Sequence, residues 1–293
     1  MIAVDWGTSS LRCYRLDSQG TIVDSRSSGD GILNVAPGQF PAVLDRQIAG
    51  WSETPIVMSG MVGSRQGWKE APYVPCPAGF EEIAAKLVEV RQGVWIVPGL
   101  SCRDAAGVPD VMRGEEVQIF GAMALMDVDE GVFVLPGTHN KWAIVKKGRV
   151  KGFRTFMTGE FYALLSQHSI LARTLDANAP LDEAAFVEGV TRSDNGQGLL
   201  HNAFGTRTLA LFERMPTQEL ASYLSGLLIG EELRTQSLHA SGEVVLIGSP
   251  ALTQRYTLAL RATGIATRTM GAEATWAGLH ALSVFLDADR TSS

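Results

Sequence analysis

Cysteine is scarce in this 293-residue chain. The three residues present, Cys13, Cys76 and Cys102, form no CxxC pair and have no histidine neighbours at zinc-ligand intervals. They read as reduced structural thiols of a cytoplasmic protein rather than a disulfide framework or a metal site. Positive charge is also short: 25 Lys and Arg stand against 31 Asp and Glu, a net charge of −6. That balance disfavours nucleic acid or an anionic membrane surface as the main partner. It leaves room for a small anionic substrate, which needs only a local cluster of Arg and Lys. No apolar run approaches the length that spans a bilayer. The N-terminus lacks a basic n-region and an apolar h-region, and Asp5 interrupts it early. A soluble, cytosolic chain is expected. What the sequence does have is 45% hydrophobic residues, enough for one or two cores, and a length that suggests two domains.

Met1 to Asp17 organises the rest. Ile2-Ala3-Val4 is an apolar strand, Gly7 to Ser10 a tight polar turn, and Leu11 to Leu16 a second alternating run, which together predict a β-hairpin. Gly7 lets the backbone approach closely, Thr8, Ser9 and Ser10 offer hydroxyls, and Arg12 adds a cation, so the turn suits an anion. Asp5 ends a buried strand, where a charge needs a partner, and hydrated Mg²⁺ is a natural one. A plain edge hairpin would carry the same Ser, Thr and Gly residues.

The same plan returns about 130 residues on. Gly131 to Leu135 is an apolar run, Pro136 to Lys141 a Gly-Thr turn, and Trp142 to Val145 an alternating run, with a third strand near Gly152 to Phe156. The first hairpin likewise continues into Thr21-Ile22-Val23. Two three-stranded meanders with a Gly-Thr first turn predict two similar domains, whose turns would lie on either side of a cleft.

Elsewhere, the periodicity predicts helices over 40–51, 80–90, 158–175, 182–190, 199–212, 217–235, 252–263 and 272–286, with a frayed tail over 287–293. Residues 68–79 read as irregular and 101–104 as a loop. Thr158 reads as an N-cap, and His168 as a packed histidine on a stripe with Phe161, Leu164, Leu165 and Leu171. Gly226 and Gly230, four apart in one helix, imply close approach of another backbone. Pro55 to Met58 is a short strand running into a Gly/Ser loop. Ligands gather outside the carboxyl ends of such strands, which makes Ser59, Gly60, Arg65 and Lys69 candidate substrate contacts. Glu115 and Glu116, adjacent at a helix start, complement the helix dipole in the plain reading.

These pieces in this order resemble the actin, hexokinase and Hsp70 superfamily of ATP-dependent proteins. DWGTSSLRCY (Asp5 to Tyr14) is similar to its first phosphate hairpin and LPGTHNKW (Leu135 to Trp142) to its second. VVLIGSP (Val244 to Pro250) is similar to its adenosine segment, and GAEATWAGL (Gly271 to Leu279) to the closing Gly-Ala segment beside adenine. RGEEVQIFGA (Arg113 to Ala122) occupies the place where its sugar kinases hold a catalytic acid. Within the superfamily, RGEE, LPGTHNKW and SGMVGSRQGW resemble the 2-dehydro-3-deoxygalactonokinase family, which phosphorylates the C6 hydroxyl of a sugar acid with MgATP.

The resemblance implies an α/β fold of two similar ribonuclease-H-like domains, each a mixed five-stranded sheet with flanking helices, around a nucleotide cleft. It implies an N-terminal lobe over 1–126, a C-terminal lobe over 127–274, and a last helix over 275–293 packing back at the lobe interface. ATP and Mg²⁺ are the implied cofactors. Gly7, Thr8, Ser9, Arg12, Gly137, Thr138, Asn140, Lys141, Gly248, Ser249 and Gly271 would bind nucleotide, and Asp5 the metal. Glu115 or Glu116 would be the base, with Glu115 favoured by position, although sugar kinases usually carry Asp there. Ser59, Gly60, Arg65, Lys69 and Arg103 would bind the sugar acid, whose carboxylate needs one of those cations. The expected partners are the sugar acid and ATP, without nucleic acid or membrane, with a homodimer left open. A different small-sugar or vitamin kinase, or a non-catalytic nucleotide switch, is the rival reading.

Overall fold

The computed structural model describes residues 1–236 and 242–290. It divides into two compact units, one of Met1–Gly131, Ala143–Arg154 and Met270–Ser293, the other of Val132–Trp142 and Thr155–Thr269.

The first unit opens with the expected meander, β1 (Ile2–Trp6), β2 (Leu11–Leu16) and β3 (Ile22–Ser28). Helix α1 (Phe40–Gln47) leads to β4 (Ile56–Ser59), which lies parallel to β1 with Asp5 opposite Ser59. Strand β1 is central because its residues are apolar on both faces, as parallel pairing demands: Ile2, Ala3, Val4 and Trp6 are all buried.

The region after β4 departs from expectation. The supposedly irregular 68–79 contains β5 (Tyr73–Pro75). The helix expected over 80–90 is only α2 (Phe80–Ala84), followed by β6 (Val88–Arg91), which pairs antiparallel with β7 (Val94–Ile96). Val88 and Val90 favour a strand, and a neighbouring β7 supplies the hydrogen bonds that make one. The expected loop at 101–104 belongs mostly to β8 (Gly99–Arg103), which pairs with β5 and with β9 (Pro109–Met112) in a small separate sheet. The main sheet therefore has six strands rather than five, in the order β3-β2-β1-β4-β7-β6. Helix α3 (Glu115–Met126) follows β9.

The second meander is β10 (Gly131–Leu135), β11 (Asn140–Lys146) and β12 (Arg149–Phe156). Helix α4 (Thr158–His168) is shorter than predicted, because Ser169 restarts the chain as a 3₁₀ turn at 170–173 by accepting the Leu171 N–H. The predicted apolar stripe is only partly a core face: Leu171 is buried and Leu165 packs against the same cluster, but Phe161, Leu164 and His168 are exposed, so His168 is no packed histidine. Met157, not Thr158, holds the N-cap position. Helices α5 (Glu183–Ser193), α6 (Leu199–Leu211) and α7 (Thr217–Arg234) precede β13 (Glu243–Ile247), α8 (Pro250–Ala262) and β14 (Ala266–Met270). The strand order β12-β11-β10-β13-β14 matches β3-β2-β1-β4-β7, with β10 parallel to β13 as β1 is to β4. The predicted duplication is thus a duplication of topology. Helix α9 (Glu273–Arg290) continues through part of the expected frayed tail; residues 291–293 lie outside the described residues.

Each unit also holds one helix pair in backbone contact. In α5 and α7, a Cβ on Gly189 would lie 2.1 Å from the Tyr223 carbonyl oxygen, and one on Gly226 would lie 1.9 Å from that of Phe186. In α3 and α9, a Cβ on Gly121 would lie 1.8 Å from the Ala274 oxygen, and one on Gly278 would lie 2.0 Å from that of Val117.

Candidate functional site

The two Gly-Thr turns are built alike. In each, the glycine N–H is spent on the residue three positions later: Gly7 donates to the Ser10 carbonyl (2.9 Å), and Gly137 to the Asn140 side-chain oxygen (2.7 Å). In each, the next two residues are exposed, Thr8 and Ser9 in one, Thr138 and His139 in the other. In each, a later glycine presses on the turn. A Cβ on Gly31 would lie 2.3 Å from the Ser9 carbonyl carbon, and one on Gly159 would lie 2.1 Å from the Gly137 oxygen. The glycine amides are therefore engaged within the turns, and the exposed residues are those at the tips.

At the first turn, Arg12 pairs with Asp5 at 3.2 Å. Asp5 is largely shielded, and burial raises its pKa against the pull of Arg12. Gly60, at φ 93°, follows β4, and a Cβ there would lie 3.6 Å from Asp5 Oδ1. Among the described residues no group of three His, Cys, Asp or Glu could cage a metal. A lone strand-end carboxylate fits Mg²⁺, which takes one or two protein carboxylates and fills its shell with water and phosphate oxygens.

Gly60 also touches the next feature. A Cβ on Gly114, at φ 104°, would lie 3.3 Å from Gly60 Cα. The β4 loop thus joins Asp5 to the start of α3, where the paired acids lie. They differ in environment. Glu115 is half-buried and accepts the Arg113 N–H at 3.0 Å. Glu116 is fully buried and accepts the Gly114 N–H with both oxygens, at 2.9 and 2.8 Å. Burial, reinforced by the Glu115 charge, pushes the Glu116 pKa up to about 8. A raised carboxyl pKa means that the folded chain holds this proton where the unfolded chain has released it. Its contribution to stability is fully present below the ordinary glutamate range and is lost as pH rises towards 8. Glu116→Gln, which keeps the shape without the titration, should therefore gain thermal stability relative to the parent chain between pH 5 and pH 8. Melting curves of the two proteins across that range test this, and parallel pH dependence would contradict it.

The proposed substrate cations do not gather here. Arg65 is exposed and pairs with Glu70 at 2.9 Å. Lys69 donates to the Glu89 carbonyl on the edge strand β6 at 3.2 Å. Arg103 donates to Gly107 at 2.9 Å and lies opposite Pro109, three residues along β8 from the Leu100–Met112 pair, about 10 Å by strand rise. Ser59 is buried, and its hydroxyl has no partner among the described residues.

Sequence reasoning missed Arg113. It is only 9% exposed, donates to the Ala71 carbonyl at 2.7 Å and lies 4.3 Å over the Tyr73 ring. Its Nε and Nη1 have no partner among the described residues. The available signal was the cation of the RGEE motif itself.

At the second turn, α4 abuts the chain: the Glu160 N–H donates to the Thr138 carbonyl at 3.0 Å, and the Glu160 carboxylate meets His139 at 2.6 Å. Lys141 is buried and donates to Thr155 Oγ1 at 2.9 Å. Gly248 and Ser249 follow the parallel strand β13, and a Cβ on Gly248 would lie 3.5 Å from the Pro136 oxygen of this turn. Gly271 belongs to the other unit, where its N–H donates to Glu273 at 2.6 Å. Glu232 of α7, a second residue sequence reasoning missed, is 3% exposed and meets four donors: Trp142 Nε1 at 2.5 Å, Asn140 Nδ2 at 2.8 Å, Tyr256 OH at 2.7 Å, and Thr158 Oγ1. Burial raises its pKa, and the four donors pull it down. A cavity of about 140 Å³ lined by Gly137, Asn140, Thr158, Gly159 and Tyr256 adjoins this cluster.

Comparison with known proteins covers both units. The family model for 2-keto-3-deoxy-galactonokinase matches residues 5–282. The curated Escherichia coli (strain K12) 2-dehydro-3-deoxygalactonokinase is 36% identical over 287 residues, 96% of this chain and 97% of its own. A Rhizobium meliloti (strain 1021) protein, named "Probable 2-dehydro-3-deoxygalactonokinase DgoK1", is 39% identical over 292 residues, 95% of each chain. The crystal structure of a candidate 2-dehydro-3-deoxygalactonokinase from Sinorhizobium meliloti superposes with a TM-score of 0.88 at 36% identity, covering 97% of this chain and 98% of that one. The Clostridium difficile activator of 2-hydroxyisocaproyl-CoA dehydratase, at 12% identity and a TM-score of 0.52 over 100% of this chain and 96% of its own, shares the fold alone. With the match running through both Gly-Thr turns and the RGEE helix start, the chain belongs to the 2-keto-3-deoxy-galactonokinase family.

Proposed function

We propose that this chain transfers the γ-phosphoryl group of MgATP to the C6 hydroxyl of 2-dehydro-3-deoxy-D-galactonate, giving ADP and the 6-phosphate. Family membership carries the reading, and the like construction of the two turns supports it. Phosphoryl transfer asks a protein mainly for positioning and charge. The tips Thr8–Ser9 and Thr138–His139 are the phosphate seats, Lys141 and Arg12 offset charge, and the loop at Gly248 and Ser249 serves the adenosine. Gly271 is assigned there by family pattern alone. Asp5 is the residue that would hold Mg²⁺, which when bound would supply charge neutralisation at the phosphates. Glu115 accepts the C6 hydroxyl proton as that oxygen forms its bond to phosphorus and the bond to the ADP oxygen breaks. Glu116, fully buried, serves the helix start. Ser59 and Gly60 face the acceptor, and its carboxylate is met by a cation, for which Arg65, Lys69, Arg103 and the buried Arg113 are the candidates.

The reading places the protein in the cytoplasm; among the described residues no helix is long and apolar enough to cross a membrane. The test is ADP release from MgATP with 2-dehydro-3-deoxy-D-galactonate or its gluconate epimer as acceptor. Release with the galactonate, exceeding that with the gluconate, is expected. Release with neither would overturn the assignment, and preference for another small sugar would move it to a neighbouring kinase class.

A further inference from the structure

We propose that Glu232 is a positioning residue for nucleotide phosphate, acting through Asn140 on the second Gly-Thr turn. The inference rests on the reading above, in which that turn holds phosphate. It begins from the one difference in how the two turns are closed. Gly7 is held by a backbone carbonyl, whose place follows from the chain itself. Gly137 is held by the Asn140 side chain, which can rotate unless something fixes it. Here something does. Asn140 Nδ2 carries two hydrogens: it donates to Glu232 Oε2 and to the Tyr256 hydroxyl, and that hydroxyl in turn donates to Glu232 Oε2. The amide is thus locked with its oxygen towards Gly137.

Thr158 Oγ1 donates to the same Oε2, tying in the first turn of α4, whose Gly159 presses on Gly137 and whose Glu160 N–H holds the Thr138 carbonyl. Trp142 donates to the other oxygen, Oε1, and has no side-chain hydrogen bond to Asn140. One buried carboxylate of α7 therefore sets the amide, the helix start and, through both, the exposed tip. The arrangement also explains why a carboxylate is kept at 3% exposure with no cation among its partners. A buried acceptor with four donors is satisfied, whereas any neutral replacement leaves at least one donor without a partner.

The two oxygens supply the test. Binding of the β,γ-imido analogue of ATP, with Mg²⁺, is measured by calorimetry on the full chain and on three variants. Glu232→Gln should weaken it about tenfold or more and Tyr256→Phe about threefold, because a preorganised turn becomes a mobile one. Trp142→Phe should stay within about twofold of the parent chain while lowering the melting temperature, since it strips the same carboxylate of a donor without freeing Asn140. AMP, which lacks the β- and γ-phosphates, should bind every folded variant within about twofold of the parent chain. Equal loss with Trp142→Phe, loss of AMP binding in step with the analogue, or unchanged analogue binding in Glu232→Gln and Tyr256→Phe would each overturn the role. Should Glu232→Gln fail to fold, the contrast of Tyr256→Phe with Trp142→Phe decides alone. If the parent chain binds no nucleotide, the kinase reading falls as well; if it binds and the variants match it, only this inference does.

Discussion

Glu115→Ala should lower kcat by about 10²- to 10⁴-fold, the range that a positioned general base supplies. Nucleotide affinity should stay within about twofold, because the side chain is assigned to the acceptor hydroxyl and not to phosphate. The neighbouring acid offers no substitute. Glu116 has no accessible surface, both its oxygens are turned to the Gly114 N–H, and its pKa is about 8. The Glu116→Gln variant should consequently keep most of its activity, and the contrast separates the two carboxylates. Steady-state and single-turnover rates, with calorimetric titration of the ATP analogue, make the measurement. Near-parental turnover of Glu115→Ala would remove it from the reaction and reopen the question of which group takes the proton.

The largest expected loss of stability comes from a methyl group. In Gly121→Ala the new carbon would sit 1.8 Å from the Ala274 carbonyl oxygen and 2.6 Å from the Gly278 nitrogen. Both are helix backbone, so no side chain can swing away, and α3 and α9 must separate along their seam. Overpacking costs about 1–3 kcal/mol in yielding surroundings. Against rigid backbone about 3 kcal/mol or more is expected, a fall of roughly 10 °C in melting temperature for a unit of this size. Gly226→Ala, 1.9 Å from the Phe186 oxygen, should do the same between α7 and α5. By contrast Gly205→Ala, in α6 with open space around it, should be neutral or slightly stabilising. Thermal melts of the three variants decide the matter. A Gly121→Ala protein as stable as its parent would mean that the seam is not load-carrying packing but slack.

How much of this was legible beforehand depended on whether the signal was local. The paired meanders were, because a Gly-Thr turn flanked by apolar alternation is visible in a dozen residues. The need for close approach at Gly226 was also visible, since glycine in mid-helix costs about 1 kcal/mol and requires a reason. The identical need at Gly121 was not, because its partner Gly278 lies over 150 residues away and no local pattern joins them. The span 80–90 misled for the opposite reason: its apolar spacing suits a helix, and only β7 alongside decides for a strand. Glu232 was hidden in plain composition. Adjacent to Glu231 in sequence, it carries no local sign of burial, which becomes evident only once Asn140, Trp142, Thr158 and Tyr256 converge on it. Thr158 was identified as a capping residue because hydroxyls favour that role; its hydroxyl is instead drawn inward to the same carboxylate.

The packing of α9 on β1 and α3 has a consequence for how the protein is made. Strand β1 leaves the ribosome about 270 residues ahead of the helix that packs on it, whose Ala274, Leu279 and Leu282 have no accessible surface. At about 5–20 residues per second, β1 waits roughly 15–60 seconds for its cover. All of the second unit, which lies within 132–269, is translated between the two, so the second meander and the α5–α7 pair can begin to form while the first unit still lacks α9.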